Sequence, residues 1–417
     1  MLNKNGEREL AYVVRVNKIT PMNADRLECA HIDGWHCVVG KGEFKEGDLA
    51  VYFEIDSKLP EVEPFTSMEF LKSKNYKVKT QKIRGEYSQG LLVPVTAFGM
   101  EMGILNAYAW KYINQATGEK EAWIQGDFLT EKLGVTYATS EDNSRKAPSV
   151  DKYKRMAQRH PKLFKRPIVR WFMRHKWGKK LMFLFFGKKK DKKGGWPVGK
   201  FPGVSKTDQE RVENMIWVLE DKTPYIRTQK CDGSSATYIL QKKIFNRYEF
   251  YVCSRNVRML KENQECFYKN KNYYWEAAKI YSIKNKMKDY LKNNKDIKWV
   301  CWQGEICAPG IQGNPQNLSK THLFCFHMTD SKNGRFDIRE AAKIWNKYQM
   351  EIVPIDKKEY ILPDNFEEFK LSADGNYDSS VCENKNNQMR EGYVYYKTTD
   401  PTFSFKNVSR EYLLKYQ

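Results

Sequence analysis

Residues 152–193 carry 17 Lys and Arg against a single acid, Asp191, and that run decides how the rest of the chain can fold. A net +16 over 42 residues repels itself, and Pro161 and Pro167 cut any helix there into pieces, so the run is no domain interior. With 417 residues the chain also exceeds one ordinary core. Two compact domains, one on each side of the basic run, are the expectation. Of the formal net charge of +21, only +5 lies outside the run, so the preference for a polyanionic partner is local.

A content of 41% hydrophobic and 14% aromatic residues supports real cores and argues against global disorder. Nine cysteines without a C-x-x-C pair suggest neither a disulfide scaffold nor a zinc ribbon. Reduced thiols and an intracellular setting follow as expectations, with nucleus and cytoplasm unresolved. The N-terminal MLNKNGEREL has no apolar leader, and the longest apolar run, 181–186, is far short of the roughly 20 residues that span a bilayer.

Between about residues 10 and 136, short runs (AYVVRV, WHCVVG, DLAVYFEI, QGLLVPV) are separated by turn signals at Asp33-Gly34, Gly40, Gly47-Asp48 and Gly85. That spacing predicts a small β-barrel, although a generic β domain fits the same periodicity. Beyond residue 201 the signals are mixed. Helices are predicted over 208–220, 275–291 (with Ile280, Ile283, Met287 and Leu291 on one face) and 339–348. Strands are predicted at YIRTQK, ATYIL, RYEFYVCS, WVCWQGEI, HLFCFHM, GYVYYK and TFSFK, which makes an α+β domain with an antiparallel sheet.

Lys230-Cys231-Asp232-Gly233 lies between two of these strands. A K-x-D-G match arises by chance in on the order of one in ten such lysine-rich chains, so it needs company. The company comes in order: Ser254-Arg255-Asn256, Gly304-Glu305, Phe324 with Phe326, Glu391-Gly392-Tyr393-Val394, and Lys406. A lysine attacks a phosphate only when unprotonated, so neighbouring cations or a metal should depress its pKa.

This series resembles the covalent nucleotidyltransferases, the ATP-dependent ligases and mRNA capping enzymes. With TDQERVEN, GEICAPGIQGN and the N-terminal PMNADRLECAHIDGWHCVVGKGEFKEGDLAVYFEIDSKLP and IRGEYSQGLLVP, it is most similar to the fifth family of RNA ligases. The resemblance implies an α+β chain. An N-terminal OB-like β-barrel (1–136) and a basic aromatic linker or insert (137–200) precede an adenylyltransferase (ATP-grasp-like ligase) domain with antiparallel sheets (201–417).

It further implies an ATP-dependent RNA ligase sealing 3′-hydroxyl and 5′-phosphate ends or nicks through a lysyl-AMP intermediate and an adenylylated RNA 5′ end. ATP is then the AMP donor, Mg2+ or Mn2+ the metal, RNA the partner, and no protein partner is implied. Lys230 becomes the nucleophile. Asp232, Glu305 and Glu391 serve the metal and its waters or the ribose. Arg255 and Lys406 serve ribose and phosphate, with Gln229 and Gly233 beside the nucleotide and Phe326 over the base; as residues, Phe324 and Phe326 fit ordinary core equally well.

Three positions depart from the family pattern. Gln229 replaces a frequent glutamate, Ser404 replaces the first lysine of a frequent pair, and Lys397 falls one residue late. A capping-type guanylyltransferase or DNA ligase normally carries its OB domain after the catalytic domain, yet only 11 residues follow Lys406. A non-catalytic RNA-binding protein leaves the motif series unexplained. In the basic run, which has no counterpart in the resemblance, Arg170, Trp171, Arg174, Lys176, Trp177, Lys179 and Lys180 offer stacking beside phosphate-neutralising charge. An accessory RNA grip is expected there ahead of a plain tether or a membrane-surface contact.

Overall fold

Two apolar runs that lack the usual alternation organise the N-terminal half. In the computed structural model the strands are β1 (Ala11–Arg15), β2 (Lys18–Pro21), β3 (Leu27–Ile32), β4 (Trp35–Gly40), β5 (Leu49–Phe53), β6 (Thr80–Ile83), β7 (Glu86–Gln89) and β8 (Leu91–Pro94). They form antiparallel sheets β1-β5-β8 and β2-β3-β4 and the hairpin β6-β7. Strands β1 and β5 are buried on both faces, which is why they read as continuous apolar runs. Tyr12, Val14, Ala50 and Tyr52 meet Trp35, Cys37 and Val39, while Val13, Val51 and Phe53 meet Phe65, Leu71 and Trp123. By contrast β4 alternates, with Trp35, Cys37 and Val39 buried and the residues between them half-buried.

The structure describes residues 1–3, 7–102, 108–111, 121–138, 169, 175, 194–197, 199–262, 271–383 and 388–417. Met1–Ala138 and Gly194–Gln417 form one unit and Thr139–Lys193 a second. Arg170, Trp171, Arg174, Lys176, Trp177, Lys179 and Lys180 lie outside the described residues. No described helix is long and apolar enough to cross a membrane.

The C-terminal half adds β9 (Tyr225–Lys230), β10 (Ser234–Lys242), β11 (Tyr248–Ser254), α1 (Tyr273–Ile280), α2 (Ile283–Asn293), β12 (Trp299–Cys307) and β13 (His322–Asp330). After these come α3 (Ile338–Lys347), α4 (Phe366–Leu371), β14 (Gly392–Lys397), β15 (Asp400–Val408) and α5 (Arg410–Tyr416). One sheet runs β11-β10-β12-β13, all antiparallel, with two-residue strands at its edges. Ala277, Met287, Leu291 and Trp345 from α1–α3 cover one face over Tyr238, Val300 and Trp302. The second sheet runs β9-β14-β15, antiparallel, and the pair Glu210–Arg211 adds in parallel to β15. An α+β fold with an N-terminal OB-fold domain results.

Two predicted helices are corrected. Over 208–220 there is no α-helix: Glu210–Arg211 joins the sheet and two 3-10 turns follow, Val212–Asn214 and Ile216–Glu220. The spacing of Val212, Val218 and Leu219 mimicked a helical stripe, but tertiary ties overrode it. Glu213 pairs with Lys370, and the Asn214 amide donates to Glu54 Oε1 at 3.1 Å. The 275–291 helix is two helices broken at Ser282, whose φ is 50°. Ile283, Met287 and Leu291 are buried as expected, while Ile280, before the break, is 54% exposed.

Helix α5 was not foreseen. Ser409 caps it by accepting the Tyr412 N–H at 3.1 Å. Val408 and Leu413 enter the barrel's core beside Trp35 and Tyr52, and Arg410 Nε donates to Gln89 Oε1 at 3.0 Å. The last strand and helix thus lock the β9-β14-β15 sheet onto the barrel.

Candidate active site

Lys230 is the last residue of β9, opposite Gly392 of β14, and the turn after it enters β10. That turn is pressed against β12: a Cβ on Gly233 would stand 2.3 Å from the Ile306 carbonyl oxygen, so only glycine fits. At Gly392 the φ of +146° and a built Cβ 2.2 Å from the Asn407 oxygen impose the same restriction. These two close approaches bring three strand ends together.

Lys230 Nζ donates to Glu391 Oε2 at 2.6 Å, and its side chain is still 23% exposed. Burial pulls the Lys230 ammonium down, but Glu391, Glu305 and Asp232 outweigh it and hold it above its ordinary value. This reverses the expectation of depressing cations nearby: the immediate neighbours are acids. Burial, then the Glu391 charge, pushes the Asp232 carboxyl up to about 7, with Lys230 and the Tyr412 hydroxyl opposing. Burial pushes Glu305 up to about 8, opposed by Lys230 and aided by Glu391 and Asp232. Three mutually repelling carboxyls round one amine are poorly compensated unless a cation joins them, and an all-oxygen donor set fits Mg2+ or Mn2+. Asp232, Glu305 and Glu391 would hold such an ion, which would offset the acid charge that keeps the Lys230 amine protonated.

Asp232 is fixed from every side. Its N–H donates to Tyr377 Oη at 3.3 Å, its carbonyl accepts from Gln316 Nε2 at 3.0 Å, and Oδ2 accepts from Tyr412 Oη at 2.8 Å. Tyr377 Oη also accepts the Glu391 N–H at 3.2 Å, tying two motif segments to one ring.

Arg255 and Lys406 come together at Asp208. Lys406 Nζ donates to Asp208 Oδ1 at 2.7 Å, and Arg255 Nη2 donates to Oδ2. Burial alone would raise the Asp208 carboxyl, yet Lys406 and Arg255 hold it well below the usual range. Burial, reinforced by Arg211, Arg8 and Lys230, pulls Lys406 down against Asp208. Arg211, opposite Lys406 in register, is buried, and its Nε and Nη1 lack a hydrogen-bond partner among the described residues. Orphaned buried donors beside two more cations suit an anion such as a polyphosphate.

Phe326 is half-buried against Cys231, Cys307, Phe324 and Tyr377, while Phe324 is fully buried and stacks on His322. Of the two rings, Phe326 is the one still partly exposed. Gln229 Oε1 accepts the Asp378 N–H at 2.9 Å. Lys397 is not part of this constellation: it faces Tyr225 at the far end of β9 and pairs with Asp221 at 2.6 Å. Sequence reasoning passed over Asp208, Arg211, Tyr377 and Tyr412. The first two lie inside TDQERVEN, so the signal was present; the tyrosines had none.

Residues 10–95 match the family model of an OB-fold domain and residues 223–416 that of an RNA ligase. No curated protein sequence matches the chain. Among solved structures, a Naegleria gruberi RNA ligase variant with ATP and Mn is similar at 26% identity and a TM-score of 0.67, covering 98% of this chain and 99% of its own. The same ligase with PPi is similar at 27% identity and a TM-score of 0.66, covering 98% and 99%. A variant with AMP and Mn gives 27%, 0.66 and the same coverage. The chain therefore carries an OB-fold domain followed by an RNA ligase domain, and over nearly its whole length it is similar to a solved RNA ligase.

Proposed function

We propose that this protein is an ATP-dependent ligase of the fifth RNA ligase family that joins a 3′-hydroxyl RNA end to a 5′-phosphate end. The observation that carries the reading is the Lys230 amine set among Glu391, Glu305 and Asp232, with Arg255, Lys406 and Arg211 close by. Lys230 Nζ attacks the α-phosphorus of ATP, the bond to pyrophosphate breaks, and the lysine's proton leaves to solvent. The phosphoramidate at Lys230 then passes AMP to the RNA 5′-phosphate, which frees the amine. Finally the 3′-hydroxyl oxygen displaces AMP and closes the phosphodiester.

In this reading Asp232, Glu305 and Glu391 hold Mg2+ or Mn2+ and its waters or the ribose, which supplies charge neutralisation. Arg255, Lys406 and Arg211 grip phosphate and ribose, while Asp208 holds the first two in place. Phe326 covers the adenine, with Gln229 and Gly233 alongside. The basic run serves as an accessory RNA grip, and the free thiols of the eight described cysteines are in keeping with an intracellular setting.

Incubation with α-labelled ATP tests the first step: wild-type protein becomes labelled, and Lys230→Ala does not. Labelling of the alanine variant, or labelling from GTP in place of ATP, overturns the assignment. A panel of nicked duplexes with ribose or deoxyribose at the 3′ end tests the rest, and equal sealing of all-DNA nicks removes RNA specificity.

A further inference from the structure

The outer face of the β2-β3-β4 sheet carries a second group of donor side chains that the ligase reaction does not use. Interior positions of these strands are Ala30, Ile32, Trp35, Cys37 and Val39. Cys29, His31 and His36 therefore point the other way, with His31 and His36 directly paired across the β3–β4 hairpin. One ligand atom from each of the three lies within 4.8 Å of the other two. Donors bound to one tetrahedral zinc stand about 3.5 Å apart, so side-chain adjustments of about 1 Å close the set.

Each imidazole already has a polar partner on one nitrogen. Thr20 Oγ1 lies 2.7 Å from His31 Nε2, and Glu367 of α4 lies 3.7 Å from His36 Nε2. Thr20 also hydrogen-bonds the Cys29 thiol. Partners of this kind orient metal-bound histidines and fix their tautomers. The charges acting on the group are Lys18 and Arg410 on one side and Glu86, Glu367 and Glu213 on the other. Cys29 is a buried free thiol, and a soft cation bound beside it would hold it as thiolate.

We propose that Cys29, His31 and His36 bind a zinc ion, with water in the fourth position and Thr20 and Glu367 as outer partners. One thiolate and two imidazoles with no carboxylate in direct reach select zinc over the Mg2+ or Mn2+ suited to the acids round Lys230. Because Glu367 also receives Arg410 Nη1 and Nη2, the ion pins the hairpin and braces the barrel against α4 and α5.

The test uses the full-length protein, stripped with chelator and titrated with Co2+ and Zn2+. One Co2+ per chain should give a thiolate-to-cobalt charge-transfer band and intense visible bands, a signature the oxygen-only acids cannot produce. One equivalent of Zn2+ should bleach both and raise the melting temperature. Cys29→Ser should lose the charge-transfer band, and His31→Gln should weaken binding at least tenfold, while both variants still label with ATP at Lys230, which reports an intact fold. Absence of a thiolate band in wild-type protein, or a band that survives Cys29→Ser, overturns the proposal without touching the ligase reading.

Discussion

Tyr412 Oη donates to Asp232 Oδ2 at 2.8 Å, across 180 residues of sequence. Tyr412 stands on α5, whose neighbours Val408 and Leu413 are built into the OB barrel, so one hydrogen bond connects the barrel's seating to a carboxyl beside the nucleophile. The seating of the barrel is thereby tied to the acids round Lys230.

Tyr412→Phe tests this link. The change keeps the ring and removes a bond that favours ionised Asp232, worth about 1.5–3 kcal/mol when the acceptor is charged. Asp232 should then ionise at a higher pH, moving the rising limb of the adenylylation rate up by about one to two units. A pH–rate profile checks it, and a uniform loss without a shift would mean that Tyr412 only packs.

Asp232 and Glu305 set the pH response of the metal-free protein. Their carboxyls stand at about 7 and about 8 in the fold, above ordinary values of 3.8 and 4.5. Between those limits the folded chain binds more protons than the unfolded one, so stability falls as pH rises. Below about pH 6.5 the buried His36 and His327, which the fold holds neutral, oppose this trend, so melting temperatures in chelator should drop above it, from about pH 7 to about pH 8. Added Mn2+ should reverse the drop, with the largest gain at the alkaline end. A flat profile in chelator would show that the acids are not crowded as described.

The group round Lys230 was legible because strand–turn–strand chemistry is local: Lys230, Asp232 and Gly233 fall within four residues, Glu305 lies in one predicted strand and Glu391 directly before another. What escaped was long-range. Asp208 matters through Arg255 and Lys406, and Tyr412 through Asp232, and no periodicity encodes such pairings. The 208–220 stretch misled for the same reason, since a helical apolar spacing was overruled by Glu213 and Asn214 binding elsewhere. Cys29, His31 and His36 make sense together only once β3 and β4 pair.

Lys370 and Glu213 form an ion pair whose side chains are both 0% exposed, 2.7 Å apart, with Lys370 Nζ also donating to the Val408 carbonyl at 2.9 Å. Lys370→Met leaves a buried carboxylate without its hydrogen-bond donor, which typically costs about 3–5 kcal/mol. Arg211 still acts on Glu213, so the lower end of that range is expected. Denaturant unfolding measures it. Adding Glu213→Gln should recover much of the loss, and failure to recover would place the cost in packing at α4.

The basic run from 152 to 193 gives the last prediction, argued from charge alone. Its net +16 with Trp171, Phe172 and Trp177 interleaved suits phosphate neutralisation beside base stacking better than it suits empty solvent. Each phosphate that a Lys or Arg neutralises releases condensed counterions, so removing one such pairing lowers the slope of log affinity against log salt by about 0.7–0.9. Replacing the run with a neutral flexible linker of equal length should weaken RNA binding and flatten that slope. Labelling of Lys230 by ATP alone should stay near normal, because the nucleotide site is built from residues outside the run. Unchanged affinity and unchanged slope would leave a tether or a membrane-surface role, and binding of the intact protein to anionic liposomes would then decide between those two.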